Sequence, residues 1–260
     1  MIRRRLYAEI RVSKLAVWSR RIAIFALPVA AIAVFLHRLG AIEYNVAYVL
    51  LAAGFAIALA ALVLAVSAFV LIWNEGLKGL GSAIAAFLIA ATILAVPLFE
   101  AVRSVNLPAI SDITTDISEP PRFNAIAASR PRSANSPAYP GPEVAALQRA
   151  AYPAVRSAEF DAEPDEMFNV AAGLAEQFGW RILDSGSPRG GERDGYVEAV
   201  AQTALMGFRE DISIRIRKIG NAVRIDMRSA SRYGSRDFVS NARRIQSFMA
   251  QIADARRRAR

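Results

Sequence analysis

An alternating pattern over residues 211–228 constrains the fold of this chain more than any other feature. In DISIRIR (211–217) every isoleucine is followed by serine or arginine, and VRIDMR (223–228) repeats the two-residue period. A period of two with one apolar face is typical of half-buried antiparallel strands. Gly220 and Asn221 separate the two runs and suit a tight hairpin turn.

A two-residue turn at this position predicts which residues of the two strands lie opposite each other. The predicted register contains four such pairs: Ile214–Met227, Ile216–Ile225, Arg215–Asp226 and Arg217–Arg224. The first two pairs lie on the apolar face of the hairpin and the other two on the charged face. The charged face therefore has more arginines than aspartates.

The residues around the hairpin predict the rest of a soluble domain over 155–260. Strands are expected at 155–160, 180–183 and 196–204, and helices at about 161–178 and 236–257, where apolar residues recur at helical spacing. The order is strand, helix, four strands, helix. We therefore expect an α+β fold, with a two-layer antiparallel sheet that carries two helices on one face.

The first hundred residues form a separate membrane block. Three apolar segments, at about 22–39, 47–73 and 80–99, are long enough to be transmembrane helices. In the second segment Ala52, Ala56 and Ala60 recur at four-residue spacing, which predicts a helix face for close packing.

The charge of the N-terminus predicts the orientation. Residues 1–21 carry seven basic residues against Glu9 alone, so this end should stay cytoplasmic. Three spans then place the C-terminal domain on the extracytoplasmic side of a multi-pass protein of the cell (inner) membrane. If the first segment is only interfacial, the orientation reverses.

Residues 101–154 are predicted to be an extended, proline-rich segment that contains the motif DITTD (112–116). Seven of the twelve prolines lie between residues 100 and 151, and proline forces extended or turn conformations. Within this segment, 142–151 predicts a short helix.

Composition excludes several kinds of chemistry. The chain has no cysteine, so thiolate metal sites and cysteine nucleophiles are absent. The net charge of +9 is divided between the arginine-rich N-terminus and a mildly basic domain, and aromatics are not interleaved with the basic residues. We therefore expect no nucleic-acid partner. No spacing of carboxylates matches a calcium loop, and we expect no metal or cofactor.

Several motifs together resemble the domain of unknown function 1499 family. They are DITTD with the following PPRF, Tyr152-Pro153, GFREDISIRI, and VRIDMRSASRYGSRDFVSNARRIQSF, which span about Asp112–Phe248. The resemblance implies a shared fold and no established activity. The positions that match the family pattern are Asp112, Thr114, Thr115, Asp116, Asp211, Arg215, Arg228, Ser229, Ser231, Arg232, Asp237, Asn241, Arg243 and Arg244.

Arginines of the hairpin region are the candidate binding residues. The candidate anion-binding face consists of Arg215, Arg217, Arg224, Arg228 and Arg232. The candidate structural or ion-pairing partners are Asp112, Asp116, Asp211, Asp226 and Asp237. Guanidinium groups match the geometry of phosphate and carboxylate. In the alternative interpretation, the arginines form a salt-bridged sheet face that the proline-rich segment partly covers through Asp112 and Asp116.

These observations favour a non-catalytic membrane protein. We expect its extracytoplasmic domain to bind an anionic ligand: a lipid, an envelope polymer or a membrane protein partner. The alternative is a membrane-bound hydrolase-like enzyme that uses Ser, Asp and Arg residues of the C-terminal domain. Ser229 and Ser231 are available hydroxyls, but no histidine lies near them in the sequence.

Overall fold

A computed structural model describes residues 11–188, 194–236 and 240–258. The chain divides between Val102 and Arg103 into two compact units, an N-terminal helical unit and a C-terminal unit that corresponds to the predicted soluble domain and that we call the soluble unit. Of the predicted extended segment, 101–154, residues 103–154 belong to the soluble unit; one strand and two short helices lie within them, and one of these helices is at the predicted 142–151.

The N-terminal unit contains three helices, α1 (Lys14–Arg38), α2 (Tyr44–Glu75) and α3 (Leu80–Ser104). Each is long and apolar enough to cross a membrane. The 32 residues of α2 extend about 48 Å at ~1.5 Å per residue, which exceeds the ~30 Å hydrocarbon core of a membrane.

Small residues pack these helices together, but in α2 they are not those that the sequence pattern indicated. Ala52, Ala56 and Ala60 are exposed, so the packing face predicted from them is wrong. The buried residues of α2 are instead Ala47, Leu51, Gly54, Ala58, Ala61, Ala65 and Ala68. Alanine and glycine are so frequent in this helix that several faces satisfy a small-residue pattern, and the neighbouring helices select one of them.

The soluble unit contains a six-stranded antiparallel sheet and four helices in its described residues, which confirms the α+β fold. In chain order the elements are β1 (Asp112–Thr114), α4 (Ala125–Ser129), α5 (Pro142–Ala151), β2 (Ala158–Phe160), α6 (Pro164–Gln177), β3 (Arg181–Gly186), β4 (Gly195–Gln202), β5 (Arg209–Ile219), β6 (Ala222–Ser231) and α7 (Ser240–Arg258). The sheet order is β1-β6-β5-β4-β3, and β2 also pairs with β6.

The central hairpin has the predicted register. Residues 214–217 of β5 lie opposite 224–227 of β6 in all four predicted pairs. Gly220 begins the two-residue loop with φ +59°, a backbone conformation that costs glycine little.

The hydrophobic core lies between α6, α7 and one face of the sheet. Three isoleucines of β5 and three apolar residues of β6 pack there against Met167 of α6 and Ile245 of α7; they are Ile212, Ile214, Ile216, Val223, Ile225 and Met227. Trp180 stacks on Phe178 and Phe248, with ring centroids 4.9 and 5.3 Å away. Because all alternate apolar positions of the hairpin are used on this side, its charged residues project from the opposite face.

A segment from the proline-rich region covers that opposite face. We call residues 116–139 the strap. It follows β1, which the sequence did not reveal as a strand, and it contains the short helix α4. Phe123 and Ile126 of the strap are buried with Ala230 of β6. The sheet therefore has an apolar layer on one face and a thinner, largely polar layer on the other.

Candidate functional site

The candidate arginines lie on or beside the sheet face under the strap, and each is in an ion pair. Four of the five candidate aspartates are their partners. Asp237 lies outside the described residues. We call the surface formed by these five arginines the arginine-rich face. The strap packs on it, and the arginines differ in how much of each side chain is exposed to solvent.

Of the five arginines, Arg228 has the most complete set of protein contacts around its guanidinium group. Its Nε and Nη2 groups donate to the two oxygens of Asp112 at 2.9 and 2.6 Å, and both side chains are buried. The guanidinium also donates to two backbone carbonyls of the strap and stacks on the rings of Phe123 and Tyr139, 4.3 and 5.5 Å from their centroids. Every face of this guanidinium is therefore occupied by protein.

Arg215 and Arg224 share two aspartates. Nη2 of Arg215 lies 3.0 Å from Asp116 and 2.8 Å from Asp226, and Arg224 reaches the same carboxylates at 3.1 and 2.9 Å. Asp226 is fully buried and also accepts a hydrogen bond from the Ser157 hydroxyl. Two positive and two negative charges balance, and Asp116 brings the start of the strap into this network.

A third cluster has an excess positive charge. The buried carboxylate of Asp211 accepts hydrogen bonds from Arg130 at 2.7 Å and from Arg232 at 2.8 Å. Nη2 of Arg232 lies 2.7 Å from the same carboxylate without the alignment of a hydrogen bond. Among the described residues, neither this nitrogen nor Nη2 of Arg130 has a hydrogen-bond partner.

Arg217 lies at the open end of the face, near the hairpin turn. It pairs with Glu119 at 2.8 Å and Asp194 at 2.9 Å, and its side chain is 31% exposed. The hydrogen bond from Arg217 lowers the pKa of Glu119, and the same hydrogen bond raises the pKa of Arg217. Arg224, directly opposite on β6, is 29% exposed. Arg217 and Arg224 are thus the accessible members of the face, and we call them the arginine pair.

Glu198 contributes to this face although sequence reasoning missed it. It is buried on β4, and its carboxylate accepts the backbone N–H groups of Asn124 and Ile126 at 2.8 and 2.9 Å, where α4 begins. A carboxylate between Val197 and Ala199 in an apolar strand was a visible signal. Arg130 was also missed, because no local pattern links it to Asp211, 81 residues away.

A family model described as protein of unknown function (DUF1499) matches residues 112–252, more than half of the chain. The chain belongs to the DUF1499 family. No curated protein and no solved structure matches the chain.

The DUF1499 match begins at Asp112 and ends at Ile252 on α7. It contains the whole strap and the hairpin, so the ion pairs between them lie inside the family domain. Many of the charged positions that carried the resemblance therefore hold the strap on the sheet.

The DUF1499 domain has a second polar cluster, on the helix face of the sheet. The Ser229 hydroxyl donates to Asn241 Oδ1 at 2.7 Å and accepts from Arg244 Nη1 at 2.9 Å. Asn241 Nδ2 donates to Ser231, and Arg244 pairs with Glu210. A hydrolase would need a base beside the serine, whereas Ser229 is held by an amide and a guanidinium. This cluster connects the start of α7 to the start of β5 and the end of β6.

Within residues 11–188, 194–236 and 240–258, no three His, Cys, Asp or Glu side chains converge in a way that could hold a metal ion. Each buried aspartate of the arginine-rich face has guanidinium partners instead.

Proposed function

We propose that this DUF1499 protein is a membrane-anchored, non-catalytic binding protein whose soluble unit holds an anionic partner. Three apolar helices support the anchoring. The soluble unit contributes the binding surface, and the proposed partner carries phosphate or carboxylate groups, as envelope lipids and polymers do. The proposal places the N-terminus in the cytoplasm and the soluble unit in the cell envelope, since the first 21 residues are strongly basic.

The accessible arginine pair is the observation that carries the proposal. Arg228 and Arg232 are buried, and Arg215 is only 11% exposed at its side chain. Arg217 and Arg224 keep about three times that exposure and lie opposite each other. Two guanidinium groups side by side present several N–H donors to one anion.

The partners of Arg217 explain how a ligand would be accommodated. Glu119 is 64% exposed at its side chain, so its ion pair with Arg217 is open to water and screened by salt. An incoming anion replaces such a partner at little energetic cost. A buried carboxylate such as Asp226 would not be displaced, and it keeps Arg224 in place.

The experiment measures binding of polyphosphate to the full chain in nanodiscs of zwitterionic lipid. Arg217→Gln combined with Arg224→Gln should weaken binding about tenfold or more, because a hydrogen bond to a charged group contributes about 1.5–3 kcal/mol. Arg181→Gln with Arg243→Gln removes the same charge from exposed positions on β3 and α7 and should leave most of the affinity.

Circular dichroism and the melting temperature check that each variant is folded. Absence of polyphosphate binding to the wild-type protein would refute the proposal. An equal loss in the control variant would also refute it, because the binding would then depend on net charge alone.

A further inference from the structure

A cleft opens on the edge of the sheet between β1 and β2. Both strands pair with the same edge of β6, β1 with residues 228–230 and β2 with residues 223–225, so on this edge β6 has no strand partner at residues 226–227. The cleft beside this gap has a volume of about 300 Å³ and is lined by Thr115, Gln148, Arg149, Tyr152, Pro153 and Arg156, among others.

The walls of the cleft are firmly held. Thr115 closes the gap in the sheet, because its N–H donates to the Met227 carbonyl and its hydroxyl accepts from the Met227 N–H, both at 2.9 Å. Gln148 binds the backbone of Thr114 in both directions, at 3.0 and 2.6 Å, and is buried. Tyr152 is buried at the end of α5. The cleft is therefore a fixed feature of the fold.

The charge of the cleft distinguishes it from the arginine-rich face. Arg149 and Arg156 line it and are exposed, and its described lining contains no carboxylate. Arg156 donates from Nε to the Pro153 carbonyl at 2.7 Å. In the part of the chain that the structure describes, neither arginine forms an ion pair, whereas every arginine under the strap does. Two guanidinium groups without counter-charges make the cleft electropositive.

The cleft lies next to the arginine pair along the same edge. Arg224 donates from Nη2 to the Ser157 hydroxyl at 2.9 Å, and Ser157 follows Arg156 directly in the chain. A ligand held in the cleft could therefore extend toward Arg224. Arg224, Ser157 and Arg156 thus connect the arginine pair to the cleft along this edge.

We propose that this cleft binds the phosphate group of a small organophosphate, such as a glycerophosphate headgroup. The inference rests on the proposed function, because it assigns a binding site to the anionic partner of that function. Phosphate suits the site because its oxygens can accept from both guanidinium groups at once. Tyr152 and Pro153 supply an apolar wall for the organic part of the ligand. A volume of about 300 Å³ is at the small end of ligand sites, which fits a headgroup.

The test measures binding by calorimetry on the full chain in nanodiscs of zwitterionic lipid. The probes are glycerophosphoglycerol, which is the deacylated headgroup of an anionic lipid, and inorganic phosphate. Arg149→Gln with Arg156→Gln should weaken binding of the preferred probe about tenfold or more. Arg181→Gln with Arg243→Gln should bind as the wild type does, since β3 is at the opposite edge of the sheet.

The outcomes separate this inference from the proposed function. Tighter binding of glycerophosphoglycerol than of phosphate supports a headgroup ligand, and equal binding of the two supports free phosphate. If the cleft variant binds both probes normally while Arg217→Gln with Arg224→Gln still weakens polyphosphate binding, the cleft is not the site and the proposed function stands. If the wild-type protein binds neither probe, the cleft inference is overturned. If the wild-type protein also fails to bind polyphosphate, the proposed function is refuted as well.

Discussion

Replacement of Asp112 by alanine should destabilise the soluble unit strongly. Asp112 is the sole carboxylate in contact with Arg228 among the described residues, and both side chains are buried. In Asp112→Ala the guanidinium keeps its two strap carbonyls and its aromatic neighbours but loses its counter-charge. A buried charge without compensation is much costlier than a buried ion pair.

The magnitude follows from the burial of the pair. Removal of one partner from a buried ion pair costs about 3–5 kcal/mol, against a total stability of about 5–15 kcal/mol for a typical domain. For a unit of this size, each kcal/mol lowers the melting temperature by about 2–4 °C. We therefore expect Asp112→Ala to lower the melting temperature by about 6–20 °C.

Unfolding in urea can be followed through one tryptophan. The chain has three, and replacing Trp18 and Trp73 by phenylalanine leaves Trp180, which is buried between Phe178 and Phe248. Its fluorescence in the full chain then reports on the core of the soluble unit.

A double-mutant cycle gives the decisive result. Arg228→Met keeps a long side chain against Phe123 but removes the charge, and in the double variant no charge is left uncompensated. Asp112→Ala with Arg228→Met should therefore be destabilised by about 2 kcal/mol less than the sum of the single changes. Additive effects within about 0.5 kcal/mol would refute the reasoning. Asp254→Ala, which removes a surface ion pair, serves as the control and should change stability by about 0.5 kcal/mol or less.

Three further predictions test the strap and the orientation. Burial raises the pKa of Tyr139 to about 12, so the folded protein keeps this proton while the unfolded chain releases it near pH 10. Stability should fall as pH rises from about 10 to 12, and Tyr139→Phe should reduce that fall in urea titrations at several pH values. Glu198→Ala removes the acceptor of two strap N–H groups, and hydrogen exchange of the strap should accelerate about tenfold or more while that of α7 stays unchanged. The chain has no cysteine, so single cysteines can report the orientation. An impermeant maleimide on intact cells should label Ser247→Cys, in the extracytoplasmic unit, but not Asn74→Cys, in the cytoplasmic loop. The reverse labelling pattern would contradict the proposed orientation.

The hairpin was predictable because the residues that determine its strands and turn are close together in the sequence. A two-residue period and a Gly-Asn turn specify both the strands and their register, and all four predicted pairs are present. Helix α5 was predicted for a similar reason, since Pro142 begins it and the break at Tyr152-Pro153 follows its end. Local patterns of this kind depend on a few neighbouring residues.

The strap was not predictable as a layer of the fold because its contacts are long-range. Phe123 meets Arg228 across 105 positions of sequence, and the bond between Asn124 and Glu198 spans 74. β1 has three residues, too few for a visible period. The sequence did identify Asp112 and Asp116 as candidate partners of the arginines, but not which arginine each one meets. Ligand binding by the arginine-rich face stays a prediction.

The ion pairs under the strap have a consequence for function. Buried ion pairs add little stability over apolar packing, but they require specific partners, so they fix the position of the segment that carries them. Asp116 attaches the start of the strap beside β1, whose Asp112 pairs with Arg228, and Glu198 holds α4 over β4. The strap therefore covers the buried arginines, whereas the side chains of Arg217 and Arg224 stay 31% and 29% exposed. Because of this placement, Arg217 and Arg224 are the members of the face that an anion can reach.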